Sequence, residues 1–387
     1  MTTGPGPAPG RADAPPPAPD PSHDGSAAPG RAAPSAWLTR DDLAAAGRTA
    51  TGLLLVSPDC DSVVPAGEEA GLTASCAAAL RAAGVDGRDR VVAALSGDGQ
   101  LAGPRWAQAA AEVAQAGASV GPRGRLRLHH ALESLGATTL VITPTGAMDL
   151  LARLHLEFLL DPLDLGLRHV VLTGEIVSRR TMSHLAAEFA AKVTEVYSSP
   201  LTGAPLAWRP SESAPLTPLA PGAVRLASLE KDELLAPPYA AGPAEIVVAG
   251  ADPASVVRTG QVVRVSGGDA IPAPEHTVGD HVLVRGVWLS LNRIQRALGK
   301  IDGVSGWELG VSRQGTLDAA VLTVTFNRES LVRNPMWKTR IEQSLKALTP
   351  VAIAVQISER VSESGAPGVV NDARGHHLGR DRTTIAR

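Results

Sequence analysis

Between Trp37 and Val265 the chain alternates short runs of β-branched and leucine residues with longer stretches of helical period, and this alternation narrows its fold more than any other feature. Apolar runs at 53–56, 91–95, 139–143, 169–173, 193–196, 246–248 and 262–265 read as strands. Stretches 73–83, 126–134 and 179–189 lie between them and read as helices. The last sets Met182, Leu185, Ala186 and Phe189 on one face, as a helix lying on a sheet does. Strands separated by helices pair in parallel, because a parallel connection needs a crossover long enough to hold a helix. Aromatic residues are only 3% of the chain, so the core is expected to be built from Leu, Val and Ala. Stretches 210–221 and 236–243, rich in Gly and Pro, read as loops.

Past Asp280 the order changes to strand (281–284), helix (291–298), a strand pair near 307–311 and 320–326, helix (335–348) and strand (351–357). Asn334 can cap the second of these helices, and Pro335 suits its first position. The expected fold class is α/β: a large N-terminal α/β domain with a mostly parallel sheet, over 37–278, plus a small C-terminal α+β (β-α-β-β-α-β) domain, over 279–387. Residues 1–36 form a Pro/Ala/Gly-rich tail that cannot bury enough apolar surface to offset its ordering entropy, so it is predicted disordered. The polar, Gly-rich end from 362 to 387 is predicted to be a mobile loop with a frayed terminus.

Charge and composition exclude several classes. Net charge is −3 and the pI about 6.4, so no basic field points to nucleic acid or to anionic lipid. No apolar run approaches the roughly 18 residues of a membrane span, and no charged start leads into a secretory signal. Cys60 and Cys76 cannot make a disulfide framework, and a cytoplasmic protein is the expectation. The adjacent pairs His129-His130 and His376-His377 do not have metal-ligand spacing with those cysteines, so no metal is expected. There is no G-x-S-x-G elbow and no Cys/His pair placed as nucleophile and base.

Six short motifs follow one another in a consistent order: V-L-T-G-E (171–175), V-Y-S-S-P-L-T-G (196–203), A-E-I-V-V (244–248), V-V-R-T-G-Q (256–261), G-D-H-V-L-V-R-G-V (279–287) and G-V-V-N-D-A-R (368–374). Together they resemble the phenylacetate–CoA ligase branch of the adenylate-forming ligase superfamily, over roughly 53 to 374. The resemblance implies a two-domain fold in which a carboxylate attacks ATP to give an acyl-adenylate. CoA then displaces AMP after the small domain rotates about a hinge, here Asp280. It also places Gly174 and Glu175 before an adenine pocket, Tyr197 against the base, and Gln261 at the position of a ribose-binding aspartate. Arg258 and Arg285 are the remaining cations of the nucleotide-binding set.

The same motifs depart from the family where its chemistry is concentrated. Polyphosphate needs main-chain N–H donors from a Gly-rich loop, a cation and Mg²⁺. Residues 56–65 read V-S-P-D-C-D-S-V-V-P, with neither glycine nor basic residue and with Asp59 and Asp61 added; they read as a solvated turn. Pro200 and Leu201 replace the family's threonine and Mg²⁺-binding glutamate, Gln261 its ribose aspartate, and Ala366 its catalytic lysine. No lysine lies beyond Lys346. The sequence therefore reads as a degenerate ligase-like chain with no catalytic residues and no cofactor. Its expected role is a non-catalytic partner of a protein or an active ligase homologue, such as a scaffold in a biosynthetic pathway, or a binder of an aromatic or acyl carboxylate. The alternative is an active acyl-CoA or acyl-adenylate ligase with rearranged residues, which would use ATP, Mg²⁺ and CoA.

Overall fold

A computed structural model of the chain describes Met1 and residues 36–385, apart from Asp61, 66–68, 98–101, Arg123, Pro200, 251–253, Ser364 and Ala366. The expectations for the N-terminal tail and for Asp61, Pro200 and Ala366 thus lie outside the described residues. In chain order come β1 (Ala36–Leu38), α1 (Arg40–Ala46), the hairpin of β2 (Leu54–Val56) and β3 (Val63–Pro65), and α2 (Glu69–Ala83). A βα series follows: β4 (Arg90–Ala93), α3 (Gly103–Val113), β5 (Ala116–Ser119), α4 (Arg125–Leu135), β6 (Thr139–Ile142), α5 (Pro144–Arg153), β7 (His169–Thr173), α6 (Arg179–Phe189) and β8 (Lys192–Ser199). Then come β9 (Ala204–Arg209), β10 (Thr217–Pro218), β11 (Arg225–Ala227), β12 (Leu234–Leu235), β13 (Gly242–Ala249), β14 (Ser255–Val265) and β15 (His276–Thr277).

The expected parallel sheet is present, with strand order β10-β9-β8-β7-β6-β4-β5 and parallel pairing from β8 to β5. Successive side chains of a strand leave on opposite faces, so a sheet covered on both sides needs apolar residues at every position. Leu140, Ile142, Val170 and Leu172 pack with Leu132, Leu150, Leu185 and Phe189 on one face. Val91, Val141 and Val171 pack with Leu80, Trp106 and Ala110 on the other. A second sheet, β1-β14-β13-β11-β12 with β15 on β14, is antiparallel except where β1 joins β14.

The C-terminal part contains β16 (His281–Val284), β17 (Val287–Ser290), α7 (Leu291–Leu298), β18 (Val304–Gln314), β19 (Leu317–Phe326), α8 (Glu329–Val332), α9 (Pro335–Lys346), β20 (Ile353–Val361), β21 (Val369–Asp372) and α10 (Arg382–Ile385). Its four-stranded sheet, β20-β19-β18-β21, turns alternate side chains of β18 and β19 onto α7 and α9, burying Leu309, Leu322, Val324, Phe326, Ile294 and Ile341. The large α/β domain and the smaller C-terminal α+β domain are thus both present. Asn334 does cap α9, accepting from the Met336 N–H.

Two expectations about this part are corrected. The single opening strand is a hairpin: Arg285 and Gly286 have φ of +50° and +75°, the pair of positive values that a tight two-residue β-turn requires. They turn β16 into β17, and α7 starts only at Leu291, with the Ser290 hydroxyl accepting from the Arg293 N–H. Residues 369–385 are not a free loop. Strand β21 pairs in parallel with β18, and the residues after it are bound by backbone hydrogen bonds and by the ion pairs of Arg374, Arg380 and Arg382. Among the described residues no helix is long and apolar enough to cross a membrane.

Candidate functional site

Ligands of open parallel α/β sheets sit beyond the carboxyl ends of the strands, where the turns after β6, β7 and β8 carry their side chains. Gly174, at φ +87°, makes the turn after β7. The Glu175 carboxylate that follows accepts from the Thr145 N–H at 3.0 Å and the Thr145 hydroxyl at 2.7 Å, so it occupies the N-terminus of α5. Enclosure pushes its pKa up, against the pull of the two Thr145 donors. The enclosing element is the β16–β17 hairpin. A Cβ added at Gly286 would lie 3.7 Å from both Glu175 Oε1 and the Gly174 carbonyl, and Leu283 and Trp288 pack on Ile176. Arg285 faces away, its Nε donating to the Asp318 carbonyl at 2.6 Å.

Tyr197 and Gln261, which lie far apart in sequence, are brought together. The phenol at the end of β8 donates to Gln261 Oε1 on β14 at 2.6 Å, and both residues are buried. Burial pushes the phenol's pKa up, so it stays a donor. Leu201 is buried beside them, in a cluster with Tyr197, Leu206 and Ile246.

Arg258 is buried and fully engaged. Its Nε reaches Asp232, its Nη1 reaches the Ser228 carbonyl and Glu245, and its Nη2 reaches the Lys231 carbonyl and Asp232. These contacts use all of the roughly five N–H donors a guanidinium possesses. The Trp37 ring covers its face at 4.8 Å. Glu245, on β13, is wholly buried, and besides Arg258 it accepts from the Gly260 N–H and from Arg382. Arg258, Glu245, Asp232 and Arg382 thus form an internal network. Asp280, Arg258 and Arg382 line a small polar pocket of about 70 Å³ beside it.

In the segment expected as a solvated turn, Ser57, Asp59 and Ser62 are buried while Cys60 stays exposed. Asp59 is 6% exposed, the Ser57 hydroxyl donates to its carboxylate at 2.5 Å, and Arg293 of α7 donates to its carbonyl at 2.5 Å. Residues 57 to 62 close on themselves, through Ser57 N–H to the Ser62 carbonyl and Cys60 N–H to the Ser57 carbonyl. They turn a carboxylate inward and dock on the small domain.

A larger cavity of about 230 Å³ opens between α5, α6 and the small domain, lined by Thr145, Met148, Ile176, Arg313 and His376 among others. Sequence reasoning passed over it, since Arg313 lies more than a hundred residues from the helices that complete it. A further grouping lies on one face of α4, where the three- and four-residue spacing is the signal for it. Glu133 Oε2 lies 3.3 Å from His129 Nδ1 and 3.7 Å from His130 Nδ1, on α4. A single helical turn supplies this contact, since the carboxylate stands four and three residues from the two rings.

No protein-family profile and no curated protein sequence matches the chain. Solved structures do. 2-Hydroxyisobutyryl-CoA ligase, in complex with its acyl-adenylate and CoA in the thioesterification state, superposes with a TM-score of 0.70 at 13% identity, covering 87% of this chain and 80% of that one. The same ligase in its postadenylation state gives 0.52 at 13% identity, covering 88% and 80%. A malonyl-CoA ligase with methylmalonyl-CoA and AMP bound gives 0.56 at 18% identity, covering 78% and 68%. By architecture, then, the chain has the fold of the adenylate-forming, AMP-producing acyl-CoA ligases.

Proposed function

We propose that this chain is a divergent relative of the phenylacetate–CoA ligase branch that keeps the fold, has lost ATP-dependent adenylation, and acts as a non-catalytic partner or ligand-binding subunit. One observation supports the reading: the groups that would meet a nucleotide are already engaged by partners inside the protein. Arg258 has spent its donors on Glu245, Asp232 and two carbonyls, Gln261 accepts from Tyr197, and Glu175 is held by Thr145. Where a triphosphate would need amide donors, Asp59 presents its own carboxylate to Ser57. Removing one preorganised donor from a transition state costs about 10²–10³ in rate. Here the lysine, the magnesium carboxylate and the phosphate loop are missing together, and a Mg²⁺–triphosphate does not fit the residues present.

The cavity of about 230 Å³ is smaller than the roughly 300–1,000 Å³ typical of pockets for drug-sized ligands. It suits a small aromatic or acyl carboxylate, with Met148 and Ile176 against the apolar body and Arg313 toward the charge. Two free cysteines fit a cytoplasmic setting.

The test is ATP–pyrophosphate exchange over a broad panel of carboxylic acids, with thermal-shift titration against ATP and Mg²⁺. No exchange and no shift are expected. Exchange above background with any acid overturns the reading. A second reading, an active ligase with rearranged residues, draws on the similar structures, whose complexes hold acyl-adenylate, AMP or CoA. It predicts a stabilisation of about 2.7 kcal/mol at a nucleotide concentration a hundred times Kd.

A further inference from the structure

We propose that the C-terminal segment 373–385 is a latch that fixes the small domain on the large one in a single orientation. The inference rests on the fold and not on the loss of adenylation. The segment follows Arg374, where the motif series ends, and it is tied on both sides of Asp280.

On the small-domain side, Ala373 N–H donates to the Val311 carbonyl at 2.8 Å. Arg374 bridges Asp318, Asp372 and the Leu283 carbonyl. The chain then crosses to the large domain, where Thr277 N–H donates to the His376 carbonyl at 2.6 Å and Leu378 N–H to the Thr277 carbonyl at 2.9 Å; at the boundary, Gly279 N–H donates to the Gly379 carbonyl at 2.9 Å. Arg380 grips the hinge itself, with Nε 2.6 Å from Asp280 Oδ1 and Nη2 3.0 Å from Asn292 of α7. Arg382 reaches the wholly buried Glu245 at 3.0 Å, and Ile385 packs on Leu229, Val262 and Val278.

A rotation about Asp280 carries the two sets of anchors apart, so it cannot proceed while both hold. Charge-assisted bonds such as that of Arg382 to the buried Glu245 are the stronger kind. The structural likenesses point the same way. One ligase, at equal identity and near-equal coverage, superposes far better in its thioesterification state than in its postadenylation state. Because its sequence is the same in both, only the placement of its parts separates the two fits.

The experiment measures one distance in the full chain. With Cys60→Ser, spin labels at Arg81→Cys on α2 and Lys338→Cys on α9 report across the two domains by pulsed electron resonance. The expected result is one narrow distance, unchanged by ATP with Mg²⁺ or by CoA. Adding Arg380→Ala and Arg382→Ala, or ending the chain at Gly375, should broaden it or add a second population. Amide exchange at 276–279 should rise about tenfold or more in the same variants. A broad or two-peaked distance in the unaltered chain overturns the proposal, as does a narrow one in both the double variant and the shortened chain. Neither readout involves turnover, so pyrophosphate exchange by the unaltered chain would refute the loss of adenylation and leave this measurement standing.

Discussion

Replacing Arg374 with alanine removes the guanidinium around which the end of the small domain is organised. Its side chain is 4% exposed, and it bonds Asp318 Oδ2 at 2.5 Å, both oxygens of Asp372 at 2.8 Å and the Leu283 carbonyl at 2.8 Å. Breaking a buried pair by deleting one partner typically costs about 3–5 kcal/mol, mostly because the other charge stays buried. Two features place this case near the lower end. Asp318 keeps Arg313, at 2.5 Å, and Asp372 keeps the main-chain N–H groups of residues 374 and 377, each at 3.0 Å. A loss of about 3 kcal/mol at neutral pH is expected. The pH dependence identifies the cause. Burial pushes the Asp372 carboxyl up, and the hydrogen bonds and charge of Arg374 outweigh it, holding the pKa below its ordinary value of 3.8. That stability is present above the ordinary carboxylate pKa and is lost as pH falls below it. In the variant burial is opposed only by the main-chain N–H groups and by the charge of His376, so the carboxyl shifts upward and the difference between the two proteins must shrink toward pH 4. Urea unfolding followed by tryptophan fluorescence measures it, with Trp307 and Trp337 reporting from the small-domain core. A difference under about 1 kcal/mol at pH 7, or one unchanged at pH 4, refutes the reasoning.

Four further outcomes follow from the same structure. Tyr197→Phe strands the buried Gln261 carbonyl oxygen and should cost about 1–3 kcal/mol in thermal or urea unfolding; an unchanged midpoint removes this bond from the account. Gln261→Asp restores the carboxylate that the resemblance implies, yet ATP with Mg²⁺ should still give no thermal shift, and a shift would mean that this residue alone had excluded the nucleotide. Burial lowers the His377 pKa to about 4 from 6.5, with Asp372 and Asp280 opposing and Arg374 and Arg380 assisting. The tail is therefore most stable above about pH 6.5 and loses up to about 3 kcal/mol as pH falls toward 4; proteolysis of the tail should rise over that window, and His377→Asn should flatten the rise. Gly368→Ala puts a Cβ 1.9 Å from Trp307 Cζ2, and the displaced ring should cost about 1–3 kcal/mol, read as a lower Tm.

The parallel sheet was legible because burial on both faces writes itself into adjacent residues: Val170, Val171 and Leu172 serve opposite cores yet are all apolar. The antiparallel sheet was only half legible. Its first strand pairs Ala36 with Ser255, and three residues carry too little periodicity to announce a partner so remote. The C-terminal segment misled for the opposite reason. Its polar composition looks solvated, but Arg374, Arg380 and Arg382 find their acids at 318, 280 and 245, and no local pattern encodes such partners. Asp59 is the same error on a smaller scale: its carboxylate accepts from a hydroxyl two residues away, and its main-chain carbonyl accepts from a helix of the other domain.

Two departures from the family pattern have one physical consequence. Leu201 stands where the resemblance implies a magnesium-binding glutamate, and it is 3% exposed among Tyr197, Leu206 and Ile246. A carboxylate there would be buried without a partner, at a cost that drives such groups to neutralise or to expel themselves. Gln261 stands where a ribose carboxylate is implied, and its amide accepts from Tyr197 one strand away from the wholly buried Glu245. An aspartate at 261 would bring a second anion toward Glu245 in a region of low dielectric, where like charges repel strongly. Both replacements remove a charge that needs a partner from outside the chain, a cation at 201 and ribose hydroxyls at 261, to remain buried. Once neither charge is present, the surrounding residues can pack without those partners, and Tyr197 can spend its hydroxyl inside the protein. On the proposed reading, the internal bonds of the cleft and these two departures from the resembled motifs are one change, since an uncharged side chain packs at each place where a charge would need a partner.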